Sequence, residues 1–259
     1  MEQDMKYFSG ICSDVGIRKK VNQDAAMICQ ADTRMGNVML AVVCDGMGGL
    51  EKGELASSTV INGMAEWFEE TFSHILYHDF TTNAIKDSWM HVIMTMNEQI
   101  QEYGKQHGIQ LGTTMAALLL VQDSYYICNI GDSRIYYLKN QVDQVTRDQS
   151  YVQQEVDMGR MTEEEALHSD KRNLLLQCIG AGDQVEPDFY FGEYQKNSAF
   201  LLCSDGFWHE LELREIWEAL QPDFLVDQAD IEEKVQKLID LAKDRQERDN
   251  ITAVLVCAK

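Results

Sequence analysis

The run Val38-Met39-Leu40-Ala41-Val42-Val43-Cys44 is apolar at every position. A strand with one wet face would alternate, so this run predicts a strand covered on both faces. Tyr7 to Asp14 reads as an earlier strand and its exit, and Asn22 to Ile28 as a loop entering a second. After Cys44 the period becomes helical. Ala56, Val60, Met64 and Trp67 recur at helical spacing and predict a helix over Leu55 to Phe72. Ile85, Trp89, Val92, Met96, Ile100 and Tyr103 predict another over Ala84 to Tyr103. These Met and Trp stripes read as core packing. Thr114 to Val121 predicts a strand, followed by a hairpin-like pair around Gly131-Asp132. Residues 150–168 are polar and helical, with Thr162-Glu163-Glu164-Glu165 fitting a capping box. Strands near Phe189 and Phe200 follow, then a helix over Asp230 to Gln246 and a closing strand over Thr252 to Val256. Strand and helix do not alternate strictly, which favours an α+β layered sandwich of largely antiparallel sheets over a doubly wound sheet.

Composition narrows this. At 259 residues and 45% hydrophobic, the chain can bury a full core, and with only 2 Pro and no linker-like stretch one compact domain over 1–259 is the expectation. The net charge of -21 argues against nucleic acid and against attraction to anionic membranes. It also opposes long-range steering of a phosphorylated substrate, so anion recognition must be local. The first residues carry no basic segment leading into an apolar stretch, and no run approaches the ~18 apolar residues of a membrane span. The 7 Cys are scattered without a C-x-x-C, and Cys44, Cys203 and Cys257 lie in or beside apolar runs. That pattern suggests reduced core thiols in a cytoplasmic protein. A monomer is the default.

The candidate chemistry lies at strand ends. Asp45-Gly46 follows the first apolar run, and Asp205-Gly206 follows Ala199-Phe200-Leu201-Leu202-Cys203. Gly131-Asp132-Ser133-Arg134 separates two strand-like segments, and Asp249-Asn250 precedes the last strand. One such aspartate is an ordinary strand terminator. Four together can converge into a hard, all-oxygen site suited to Mg²⁺ or Mn²⁺. The glycines of Asp45-Gly46-Met47-Gly48-Gly49 do not make a phosphate loop, because Lys52 is followed by Gly53. They let the backbone turn sharply, and the Gly46 carbonyl could then face a metal.

These motifs occur together with Ser13-Asp14-x-Gly16-x-x-Lys19-x-x-Asn22-Gln23-Asp24, Gly53-Glu54-x-Ala56-Ser57, Gly112-Thr113-Thr114, Ser204-Asp205-Gly206-x-Trp208 and Asp249-Asn250-Ile251-Thr252. The set resembles the metal-dependent protein phosphatase family (PPM, type 2C), best its short bacterial single-domain members, over nearly the whole chain. The resemblance implies a four-layer αββα sandwich, two packed antiparallel sheets flanked by helix pairs. It implies hydrolysis of phosphoserine and phosphothreonine in proteins, with a serine/threonine kinase and its substrates among the partners. Asp45 would bridge two Mn²⁺ or Mg²⁺ ions, with the Gly46 carbonyl, Asp205 and Asp249 completing the protein ligands. Asp24 would hold a metal-bound water, and Asp132 would join Asp205 at a third, weaker site. A flap would span about 148–175. No Cys, Ser or His is placed as a covalent nucleophile, so direct attack by a water bridging the two ions is the simpler mechanism.

Two positions depart from the family pattern. Where the family carries a phosphate-clamping Arg, this chain has Lys19, with Arg18 just before it; a Lys supplies charge without the bidentate fork. Either Lys19 serves, or Arg18 reaches across, or both are solvated loop cations. The family's eukaryotic members have a His where Met47 stands, and Met donates no proton. His209 reads as packing or facing solvent, and a role for His168 in the flap is open. The alternatives are a catalytically inactive phosphoprotein-binding module, disfavoured because every metal aspartate is present, and hydrolysis of a small phosphorylated metabolite.

Overall fold

The computed structural model describes residues 5–48, 52–78, 80–182 and 184–259. Gly49 of the glycine-rich turn and the first four residues of the chain lie outside the described residues. Strand β1 (Tyr7–Asp14) is followed by β2 (Ala25–Thr33) and β3 (Gly36–Cys44), then by the short β4 (Gly46–Gly48). Along β3 the residues at even positions from Val38 to Cys44 join the helix-facing core, while Met39, Ala41 and Val43 face the opposite sheet. The unbroken apolar run is thus explained by two dry faces. Each fully buried Val or Leu there contributes roughly 1.5–3 kcal/mol.

Helix α1 (Gly53–Glu66) passes into a wide π turn (Trp67–Phe72) and then α2 (Ser73–His78). The sequence predicts one regular helix over Leu55 to Phe72. The wider turn instead buries the consecutive rings of Trp67 and Phe68, and Trp67 packs edge-on against Trp89 with centroids 5.5 Å apart. Trp89 belongs to α3 (Thr82–His107), capped by Thr81, whose side chain accepts from the Ala84 N–H.

Next come β5 (Leu111–Thr113), β6 (Met115–Val121), β7 (Ser124–Ile130), β8 (Arg134–Leu138) and β9 (Val142–Gln144). The hairpin expected around Gly131-Asp132 does not form. β7 pairs with β6 and β10 (Asp188–Glu193), whereas β8 pairs with β9 and β11 (Ser198–Cys203), so the chain crosses from one sheet to the other at Gly131. Gly131 makes the crossing at φ 96°, where a Cβ would lie 2.6 Å from Thr114 Cγ2. The polar stretch holds two short helices, α4 (Tyr151–Asp157) and α5 (Glu163–Leu167), the second with the predicted capping box between Thr162 and Glu165.

After β11 come α6 (Asp205–Trp208), α7 (Leu213–Leu220), α8 (Gln228–Asp244) and β12 (Ile251–Ala258). The sequence reading passed over α7. One sheet runs β1-β12-β11-β8-β9 and the other β10-β7-β6-β3-β2, with every pair antiparallel. One core lies between the sheets, one under α1 and α3, and one under α7 and α8. These are helix, sheet, sheet and helix layers, in the arrangement expected. Among the described residues, no helix is long and apolar enough to cross a membrane.

Candidate active site

Three strand ends and the crossing at Gly131 open onto one cleft of about 490 Å³. Asp45, Gly46, Asp132, Asp205 and Asp249 line it together with Lys19 and Met47. Asp45 leaves the end of β3 with its backbone fixed on both sides. Its N–H donates to Thr114 Oγ1 at 2.9 Å, and its carbonyl accepts from Thr114 N–H and Thr113 Oγ1, both at 2.9 Å. Thr114 Oγ1 also lies 2.7 Å from Ser133 Oγ, tying the Asp45 turn to the Asp132 crossing. Gly46 begins β4, whose pairing with β5 the sequence reading missed. A Cβ on Gly46 would meet the Gly53 carbonyl at 2.3 Å and the Gln23 carbonyl at 2.4 Å. Glycine is therefore required by close backbone approach, and the Gly46 carbonyl itself lies against Gly53.

Asp249 and its neighbour divide their work. The Asn250 side chain accepts from the Gln23 N–H at 2.9 Å and donates to the carbonyls of Val15 and Val21, so it clamps the loop that carries Lys19. Gly16, at φ +74°, lets that loop pass over the Asp249 carbonyl, where a Cβ would lie at 2.1 Å. Lys19 Nζ lies 2.7 Å from Asp249 Oδ1 and is the only Lys or Arg among the described residues lining the cleft. Burial lowers the Lys19 pKa, but Asp249, backed by Asp45 and Asp205, raises it above the ordinary lysine value. Arg18 is exposed and does not line the cleft. Asp24 sits behind the wall, where Oδ2 accepts from Ser204 Oγ at 2.8 Å. His168 is exposed, with Nδ1 2.9 Å from the Glu164 carbonyl.

Electrostatics separate this cleft from a set of ordinary turns. Burial raises the carboxyls of Asp45 and Asp132 well above the usual range, and neighbouring carboxylates raise them further. Asp24 is pushed up to about 7 by burial and by Asp205 and Asp249, against hydrogen bonds from Thr252 and Ser204. Asp205 is raised by burial, eased by His209, and raised again by Asp249 and Glu247. Two like charges about 4 Å apart repel by about 4 kcal/mol near a protein surface, so this crowding is costly when unrelieved. Asp24 Oδ1 and Asp205 Oδ1 are moreover buried without a hydrogen-bond partner. Divalent cations would relieve both the repulsion and the orphaned oxygens. The donors fit Mg²⁺ or Mn²⁺, since the aspartates are hard oxygen ligands and burial pushes the one lining thiol, Cys178, up and away from thiolate. Among the described residues no three His, Cys, Asp or Glu side chains close around one point, so each ion would complete its sphere with water.

Several site neighbours were not foreseen. Arg134 of the Gly-Asp-Ser-Arg motif does not line the cleft, although its charge lowers the Asp132 pKa. Its guanidinium grips Asp148 at 2.7 Å and stacks 3.3 Å over the Trp208 ring, while Trp208 Nε1 donates to the Asp132 carbonyl. His209 packs, as one of the two readings had it, but between Asp205 and Glu247. Its spacing of four from Asp205 on a helix was a usable signal. Glu247 had none, being one acid among many before Asp249.

The chain matches the family model described as Protein phosphatase 2C over residues 17–255. It is 30% identical over 226 residues to the serine/threonine phosphatase stp of Listeria monocytogenes, covering 85% of this chain and 84% of that protein. The structure of the Streptococcus agalactiae serine/threonine phosphatase superposes with a TM-score of 0.83 at 31% identity, covering 98% of this chain and 100% of that one. The catalytic domain of the phosphatase PstP, solved in complex with 2 manganese ions, superposes at 0.78 with 29% identity, covering 98% of each. With a buried carboxylate cluster that calls for divalent cations, and with sequence and fold matched over nearly its whole length, this chain belongs to the protein phosphatase 2C family.

Proposed function

We infer that this chain is a metal-dependent protein phosphatase that hydrolyses phosphoserine and phosphothreonine in other proteins. The observation that carries the reading is the convergence of Asp45, Asp132, Asp205 and Asp249 on one cleft, with their neighbour Asp24 behind it. Asp45, the Gly46 carbonyl, Asp205 and Asp249 would hold two Mn²⁺ or Mg²⁺ ions, with Asp132 and Asp205 offering a third, weaker place. Bound there, the ions would lower the pKa of an attacking water and offset charge on the phosphoryl oxygens. Asp24, through its unpartnered oxygen, would accept a hydrogen bond from a water in the cleft and orient it. Lys19 would exchange Asp249 for the incoming phosphate, as the only cation among the described residues lining the cleft. Met47 lines the cleft and donates no proton, so the leaving oxygen would take its proton from water.

An open cleft bordered by Asn173, Leu174 and Leu175 suits a peptide segment better than an enclosed metabolite. Residues 148–175, an excursion closed at its base by the Ser150–Leu175 bridge, would form the flap of a single catalytic domain. We further propose signalling substrates, a serine/threonine kinase and its targets, in the cytoplasm; the seven unpaired cysteines favour a reducing compartment. Phosphate release from phosphothreonine peptides, compared with a panel of small phosphate monoesters in Mn²⁺ buffer, tests the substrate class. Peptides should be favoured in kcat/KM, and preference for one metabolite would overturn the reading.

A further inference from the structure

Behind Asp205 and Asp249 lies a buried cluster that the chemistry above does not use. Glu247 follows the end of α8, where Gln246 adopts a left-handed φ of 73° and the Glu247 N–H reaches back to the Ala242 carbonyl at 3.0 Å. Its Oε1 accepts from the Arg248 N–H at 2.5 Å and the Asp249 N–H at 2.9 Å, which fixes the turn presenting Asp249. Its Oε2 points to His209, whose Nδ1 lies 3.7 Å away. The same Nδ1 lies 3.9 Å from Asp205 Oδ2. Both separations exceed a hydrogen bond, so the imidazole is interposed between two carboxylates and bonded to neither. The His209 and Glu247 side chains are each only 4% exposed, so no bulk water stands in for a partner. His209 is held in place by the Trp208 ring, edge-on at 4.3 Å.

Three of the six buried polar side-chain atoms without a partner among the described residues belong to this one cluster: Asp205 Oδ1, His209 Nδ1 and Glu247 Oε2. Leaving such atoms unpaired is costly to the fold. A shift of under an ångström would close His209 onto either oxygen. Cation binding in front of Asp205 and Asp249 would supply a reason for that shift, because it draws both carboxylates toward the cleft.

We propose that His209 and Glu247 are positioning residues for the cation site, a buried brace that holds Asp205 and Asp249 in register with each other. The proposal rests on the reading of the cleft as a divalent-cation site. Neither residue touches substrate. Glu247 sets the Asp249 turn through backbone N–H groups, and His209 spaces Glu247 from Asp205, so that two like charges do not meet directly. Partners of this kind behind a metal ligand typically change metal affinity by 10–100-fold when removed.

Mn²⁺ binding, followed by loss of the free-ion EPR signal on adding metal-free protein, tests this without turnover. Glu247→Ala and His209→Phe should each weaken Mn²⁺ binding by about tenfold. Glu247→Gln should lose less, because its amide oxygen can still accept the two N–H groups. The melting temperature of the metal-free protein should fall in Glu247→Ala, which strands the Arg248 and Asp249 N–H groups, and hold in His209→Phe, which leaves both bonds in place; weaker Mn²⁺ binding at an unlowered melting temperature in His209→Phe separates the brace from a purely structural role. Mn²⁺ affinity unchanged in folded Glu247→Ala and His209→Phe would overturn the brace. If Glu247→Ala does not fold, Glu247→Gln and His209→Phe decide by the same criterion. If the unaltered protein binds no Mn²⁺, the reading of the cleft falls first and the brace with it, which separates the two failures.

Discussion

Lys19 shows how much one side chain can decide. It is the only cation among the described lining residues of a cleft crowded with carboxylates, and it is already engaged, 2.7 Å from Asp249. To clamp a substrate phosphate it would have to leave that partner. If Lys19 clamps the phosphate, Lys19→Ala should raise KM for phosphopeptide by about tenfold, the value of one charge-assisted hydrogen bond. Mn²⁺ affinity should stay the same or tighten, because Asp249 loses a competing cation. A Mn²⁺ titration alongside steady-state kinetics separates the outcomes: unchanged KM with weaker metal binding would make Lys19 a structural partner of Asp249. Lys19→Arg should hold or improve turnover, since a guanidinium can grip two phosphate oxygens. The geometry favours Lys19 over Arg18, a choice the sequence left open because both cations lie in the same loop.

At the scale of elements, what was legible depended on how far each signal is local. The apolar run of β3 and the stripes of α1 and α3 announce themselves, because burial on two faces or on one helical stripe writes a period into a few residues. The capping box at Thr162 and Glu165 was equally visible, being contained within four residues. Where a contact is long-range, the signal vanished. β4 is three residues long and exists because Gly46–Gly48 meets Leu111–Thr113, more than sixty positions on. The expected hairpin at Gly131 failed for the same reason: two strands separated by a turn look alike whether they pair with each other or with different sheets. The π turn at Trp67 answers to the packing of two adjacent rings on a helix that a regular 3.6 period would have split. At the site, the aspartates could be picked out because each lies at the edge of a strand, yet their encounter in one cleft is tertiary. His209 and Glu247 stand thirty-eight positions apart and meet only through the fold.

For the molecule as a whole, the sandwich keeps like charges together that would separate if free. Asp24, Asp45, Asp132 and Asp205 all hold protons more tightly when folded than when unfolded. For such groups stability is fully present below the unfolded pKa, near 4, and is lost as pH rises through the folded value. Asp24 sets the window, with its pKa pushed up to about 7. Glu247, where burial raises the pKa but the nearby His209 and hydrogen bonds from two backbone N–H groups outweigh it and pull it down to about 2, works in the opposite sense only at lower pH. The melting temperature of metal-free protein should therefore fall as pH rises from about 4 to about 7, and Mn²⁺ should restore it at the upper end, the ion taking the place of the protons. Thermal scans across that range check this, and a metal-free melting temperature that is flat or climbing would contradict it.

Phosphate ester hydrolysis at this carboxylate cluster depends on divalent cations. The rate of phosphate release from a phosphothreonine peptide across a Mn²⁺ titration, for the unaltered chain and for Asp205→Asn, tests that dependence. The unaltered chain should be inactive after chelation and recover as Mn²⁺ is added. Asp205→Asn should fall by about 100-fold or more at the same Mn²⁺, the equivalent of roughly 3 kcal/mol of lost transition-state stabilisation. Full turnover in metal-stripped buffer, or undiminished rates in a folded Asp205→Asn protein, would mean that catalysis here does not run through divalent cations held by Asp205.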